Sequence, residues 1–167
     1  MKKKIGKLLK LLIFIFLVFG FGNSLFAKST NLNCLKKTEM LKCLGNNFNA
    51  LYLNDNEQFW TILKKWEKTH SNNKDIADFL SLVKVKAGNA EFNEYFSQII
   101  ERQLLPNRTQ NFLDSLLLID RKASNQILNE LKHPMFVKIS RVKSVLEKYR
   151  DKEIYKELLY SYFNKSL

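Results

Sequence analysis

From Asp55 to Tyr162, apolar side chains recur at intervals of three and four, the spacing of a helix with one buried face. Phe59, Trp60, Ile62, Leu63 and Trp66 form one stripe, and Ile76, Phe79, Leu80 and Val83 a second. Phe92, Tyr95, Phe96, Ile99 and Ile100 form a third; Phe112, Leu113, Leu116, Leu117 and Ile119 a fourth; Ile127, Leu128 and Leu131 a fifth. Val137, Ile139, Val142, Val145, Leu146 and Tyr149 follow, and Ile154, Leu158, Leu159 and Tyr162 close the series. No stretch alternates with the period of a strand. The pattern predicts an all-α fold of about seven short amphipathic helices.

Polar punctuation falls between the stripes. Asp55 with Gln58, and Asn107 with Gln110, have the spacing of a capping box, while Asn73, Asn89, Ser124 and Asp151 precede other helical runs. Gly88 suits a helix C-terminus, Pro106 lies beyond the end of one helix, and Pro134 suits the first turn of another. Asp55, Asn89 and Ser124 are separated by 34 and 35 residues, and Asn73 and Asn107 by 34. That period fits stacked, solenoid-like helical hairpins. A compact bundle of similar helices fits it as well.

The chain opens differently. Lys2, Lys3, Lys4, Lys7 and Lys10 precede an apolar run from Leu11 to Gly22, and Leu25-Phe26-Ala27 offers a small residue for cleavage. This is the layout of a secretory signal peptide over 1–27, followed by one helical domain over 28–167. The apolar run is shorter than the roughly 20 residues that cross a bilayer. The membrane therefore enters only if the segment stays uncleaved. The expected destination is the periplasm or the exterior.

An oxidising compartment changes the reading of Cys34 and Cys43. Two thiols there favour a disulfide over a redox or metal site. On one straight helix their separation would be about 13.5 Å of rise and half a turn, too far to bridge. A break between them is therefore expected, with Thr38 capping a short helix that ends at Gly45, although Leu35, Thr38, Leu41 and Gly45 also fit one continuous face.

Catalytic signals are sparse. Neither histidine, His70 or His133, sits in a motif with a serine, and clustered glycines for a phosphate loop are missing. Glu67/His70 and Glu130/His133 are both Glu-x-x-His, the pairing used by di-iron carboxylate bundles. Both lie at helix ends, where a histidine is favoured by the helix dipole alone. No metal or other cofactor is expected.

Charge is the remaining signal. Removing 1–27 takes five lysines from a net +12, leaving +7 on 140 residues. Residues 101–167 sum to +5 and residues 51–100 to −1. Lys138, Arg141, Lys143, Lys148, Arg150, Lys152 and Lys156 are the candidate contact residues for an anionic partner, although Glu147 with Arg150, Glu153 with Lys156 and Glu157 with Lys152 are spaced to pair locally. Export disfavours nucleic acid. Phe48, Tyr52, Tyr160 and Phe163 fall off the stripes and are candidates for an exposed groove.

These features together point to an exported helical binding module acting by stoichiometric protein–protein contact, such as an immunity protein or inhibitor of a periplasmic toxin or hydrolase. An envelope accessory protein with an anionic partner is the alternative. Protein recovered from the envelope is expected to begin at Lys28; Met1 retained on membrane-bound protein would replace cleavage with an anchor.

Overall fold

The computed structural model describes residues 33–36, 39–69 and 72–164. The segment 1–27, the Thr38 cap and His70 lie outside the described residues. Among those described there are nine α-helices of seven residues or more and no strand. They are α1 (Met40–Asn46), α2 (Phe48–Asn54), α3 (Asn56–Thr69), α4 (Asn73–Leu80), α5 (Ala90–Ile99), α6 (Thr109–Leu118), α7 (Arg121–Glu130), α8 (Ile139–Glu147) and α9 (Glu153–Phe163). The stripes alone indicate seven; α1 and α2, at 7 residues each, are too short to carry one.

Cys34 and Cys43 are joined in a disulfide, with Cα atoms 5.6 Å apart. The chain is broken between them as geometry requires: Cys34–Lys36 is a 3-10 turn and α1 begins only at Met40. Both sulfur-bearing residues are buried. Closing a loop of this size stabilises the fold by about 2.7 kcal/mol in the chain-entropy model.

Several caps stand where the sequence places them, and others shift. Asp55 accepts the Gln58 N–H at 3.1 Å, and the Gln58 amide donates to the same carboxylate at 2.6 Å. Gln58 Oε1 turns outward to accept the Cys34 N–H at 2.8 Å, tying the disulfide loop to α3. Asn89 caps α5 by accepting the Phe92 N–H at 2.8 Å. The cap of α4 is Asn72, not Asn73, because Asn73 is spent on α6. Its carbonyl accepts from Ser115 Oγ at 2.8 Å, and its side chain bonds Asn111 and Asp114 at 2.8 and 3.2 Å.

Asp120 caps α7 through the Ala123 N–H at 3.0 Å, while Ser124 lies buried inside the helix and donates to the Leu116 carbonyl at 2.7 Å. The ion pair with Lys84, and secondarily the Ala123 N–H, hold the Asp120 carboxyl below the usual range. Asn107 ends the preceding helical segment, and α6 starts at Thr109 without a side-chain cap. The even spacing of caps therefore fails after Asn89.

The core of the first half is aromatic. Phe48 from α2 packs edge-on against Phe59 of α3 (5.1 Å) and Phe92 of α5 (4.9 Å). Trp66 of α3 stacks on Phe79 of α4 at 4.2 Å, and Phe79 meets Phe96 of α5 at 5.0 Å. Each such pair contributes about 0.5–1.5 kcal/mol beyond burial. Further along, α4 packs on α6 and α7 on α9, each helix on its next-but-one neighbour.

The last stripe is rotated. Ile154 is exposed and Leu158 half-buried, while Tyr155, Leu159 and Tyr162 face inward. The reason is polar: the Tyr155 hydroxyl donates to Asp114 of α6. Burial first, and the Asp114 carboxylate second, push the Tyr155 phenol up to about 12.

A raised phenol contributes stability that is complete below the unfolded value near 10 and is lost as pH rises through the folded one. The stability advantage of the native chain over Tyr155→Phe should therefore shrink by about 1.4 kcal/mol between pH 9 and pH 11 in denaturant titrations. An advantage independent of pH would contradict the buried phenol.

Candidate functional site

The site begins with a proline in a helix. Pro106 has no N–H to donate, and its ring crowds the carbonyl four residues back. Just ahead of it α5 widens into a π turn over Ile100–Leu104, where the Leu105 N–H reaches the Ile100 carbonyl. The helix then resumes for Leu105–Asn107, so Pro106 lies within the continued helix and not beyond its end. A π turn packs more residues onto one side of the helix, and Ile99, Ile100, Glu101, Leu104 and Leu105 are all buried. Glu101 is thereby carried inside.

Its carboxylate meets the backbone of the segment between α7 and α8. Oε1 accepts the Met135 N–H at 2.9 Å; Oε2 accepts those of Phe136 at 2.6 Å and Val137 at 3.2 Å. Pro134 therefore does not open a helix. Three successive N–H groups that a helical first turn would leave unpaired are gathered by a carboxylate from another element, and α8 starts only at Ile139. Arg102 lies over the Phe136 ring at 4.7 Å and clamps the segment from outside. Met135, at its apex, is 63% exposed.

This pinned loop closes one end of a groove of about 1050 Å³ between α5 and α7. Ile100, Ile127 and Leu131 supply apolar lining, and Asn93, Ser97, Asn125 and Asn129 polar walls. Lys86 is buried in one wall. Its ammonium donates to Glu130 at 2.6 Å and sits 4.8 Å from the centre of the Phe96 ring. A buried ammonium is tolerable only with such partners, and removing one typically costs about 3–5 kcal/mol. Arg121 and Lys122 stand at the rim, Arg121 paired with Glu157 at 2.6 Å.

The basic residues singled out from the sequence lie elsewhere and do not form one stripe. Arg150 pairs with Glu147 at 3.0 Å and lies over Phe163; Lys156 is 3.8 Å from Glu153; Lys152 covers the Tyr149 ring. Glu157 pairs with Arg121 and not with Lys152. Lys138, Arg141, Lys143 and Lys148 are exposed and form no ion pair among the described residues. At about 100° per residue, Arg141 and Lys148 share one flank of α8 and Lys143 lies on the other.

The two Glu-x-x-His carboxylates are engaged separately. Glu67 accepts from Tyr95 at 3.2 Å and Gln103 at 2.6 Å, and Glu130 from Lys86 and Gln126. Among the described residues no three His, Cys, Asp or Glu side chains converge on a point that could hold a metal. Phe48 belongs to the core instead of an exposed groove, while Tyr160 is 68% exposed.

Glu101 escapes sequence reasoning because it reads as an ordinary helical surface charge. Its only signal is position, a carboxylate inside the run from Ile99 to Leu105 directly before Pro106. No family model matches the chain, and no significant similarity is found to a curated protein or to a solved structure.

Glu101→Ala removes the acceptor of three charge-assisted bonds and should cost about 3 kcal/mol or more in urea unfolding. Glu101→Gln keeps the volume but turns an NH2 toward backbone donors, so a loss of about 2 kcal/mol is expected. A glutamine variant within about 0.5 kcal/mol of the native chain would mean that Glu101 only fills space.

Proposed function

We propose that this protein is an exported helical binding module that acts by stoichiometric contact with another protein, in the manner of an immunity protein or inhibitor of a periplasmic toxin or hydrolase. The observation that carries the reading is the loop held by Glu101. An exposed apolar residue, Met135, stands on backbone that is fixed in advance by three hydrogen bonds to a buried carboxylate. A segment ordered before binding loses less entropy on association, which is how rigid recognition loops gain affinity. The next-but-one packing of helices supports the stacked-hairpin version of the fold, an architecture that lays out extended binding surfaces.

A second reading rests on α8. Lys138, Arg141 and Lys148 are exposed and without ion pairs among the described residues; Arg141 and Lys148 share one flank of α8, and Lys138 immediately precedes the helix. They suit an envelope accessory protein that meets an anionic partner, with binding that weakens as salt screens the charges.

The test is a photoreactive amino acid placed at Met135 and, as control, at the exposed Lys64 of α3. In intact envelopes, Met135 should yield one protein adduct with the mass of a one-to-one complex, and Lys64 should yield none. Adducts to lipid alone, or equal yields at both positions, would overturn the protein-binding reading.

A further inference from the structure

We infer that two copies of this chain meet across a two-fold axis through the cleft between the end of α6 and α9. The contact is independent of the binding reading above, which concerns the loop at Met135.

Unburied apolar side chains are the first sign. Leu117 and Ile119 belong to the fourth apolar stripe, and Ile154 and Leu158 to the last, yet none of the four is buried. The cause lies in the fold. Helix α6 stops at Leu118 and Ile119 is extended, while the bond from Tyr155 to Asp114 turns α9 so that Ile154 faces outward. All four line one cleft of about 200 Å³. Of the seven exposed large hydrophobics among the described residues, three are Leu117, Leu118 and Ile154. Single apolar residues scattered over a surface are ordinary, whereas a cluster marks a contact.

Shape is the second. The cleft is smaller than the roughly 300–1,000 Å³ of small-ligand pockets and has room for a side chain. Leu118 lies between two lining residues in the chain, does not itself line the cleft and is 62% exposed. A projecting leucine next to an apolar cleft is self-complementary. About a two-fold axis, Leu118 of each copy enters the cleft of the other.

Charge selects the occupant. Among the described residues lining the cleft only Arg121 and Glu157 are charged, and both are exposed. Within one copy they pair at 2.6 Å. An exposed pair of this kind contributes little, so exchanging partners costs little. Across the axis, Arg121 of one copy meets Glu157 of the other, and the reverse. A chain of net +12 repels its own copies over most of its surface, and the balanced cleft is relieved of that repulsion. An anionic membrane or an acidic protein finds no net attraction there.

The experiment measures mass by sedimentation equilibrium on the disulfide-intact protein as recovered from cells, with Leu118→Asp, Arg121→Glu and Glu157→Arg, all at exposed positions. The native chain should be a dimer at about 100 μM, and each single variant should raise the dissociation constant about tenfold or more. Mixing the last two variants should restore the dimer. The Arg121→Glu copy then presents two carboxylates to the two guanidinium groups of the Glu157→Arg copy, although neither copy can form the pair within itself. A native chain that stays monomeric, or a mixture no tighter than its components, would overturn the assignment. So would a photoreactive residue at Leu118 that captures lipid or a foreign protein in intact cells and not a second copy; the cleft would then belong to that occupant.

Discussion

The arrangement of the second half depends on one buried carboxylate. Glu101 is 5% exposed, and its oxygens collect three consecutive backbone donors from a segment 34 to 36 residues further along the chain. A buried carboxylate without such partners would be severely penalised, and three N–H groups without an acceptor nearly as much. Each side solves the other's problem. The interaction sets where α7 stops, where α8 starts and how Met135 is displayed. It exists because Pro106 widens the preceding turn and rotates Glu101 inward.

The rest of the chain builds the platform that this contact needs. Helices of seven to fourteen residues are marginal alone in water, so their order comes from packing. The rings of Phe48, Phe59, Phe92, Phe96, Phe79 and Trp66 join α2, α3, α4 and α5 into one core, and the disulfide with Gln58 fastens the segment before α1 to α3. That core fixes α5, and α5 carries both Glu101 in its π turn and Asn93 and Ser97 in the groove wall. Lys86 joins the same core to α7, its ammonium over Phe96 and bonded to Glu130.

What could be read in the sequence follows from which forces are local. The apolar stripes are local, and Phe59, Ile62, Leu63, Ile76, Phe79, Phe92, Phe96, Phe112, Leu113, Ile127 and Leu128 are buried as their periodicity requires. The disulfide was legible from two thiols in a chain expected in an oxidising compartment, and the break it demands followed from helix geometry. Caps were legible only where no distant partner competed: Asn89 caps as expected, whereas Asn73 is drawn to α6 and Ser124 into the core. The final stripe was misplaced because Tyr155 turns inward toward Asp114, a partner 41 residues away. Glu101 and Lys86 escaped for the same reason. A charged residue looks solvated until the fold supplies its partner, and neither partner lies nearby in sequence. The basic surface was legible as composition, but its local pairing and its division around α8 were not.

The central claim is that the loop after α7 is fixed in the free protein. Amide hydrogen exchange of Met135, Phe136 and Val137 tests it most directly, since none of the three lies in a helix. These amides are expected to exchange as slowly as the buried helical amides of α7, with protection lost in Glu101→Ala while that of α3 and α4 persists. Exchange as rapid as at an exposed, unbonded amide would contradict it, and the loop would then be ordered only by whatever it binds.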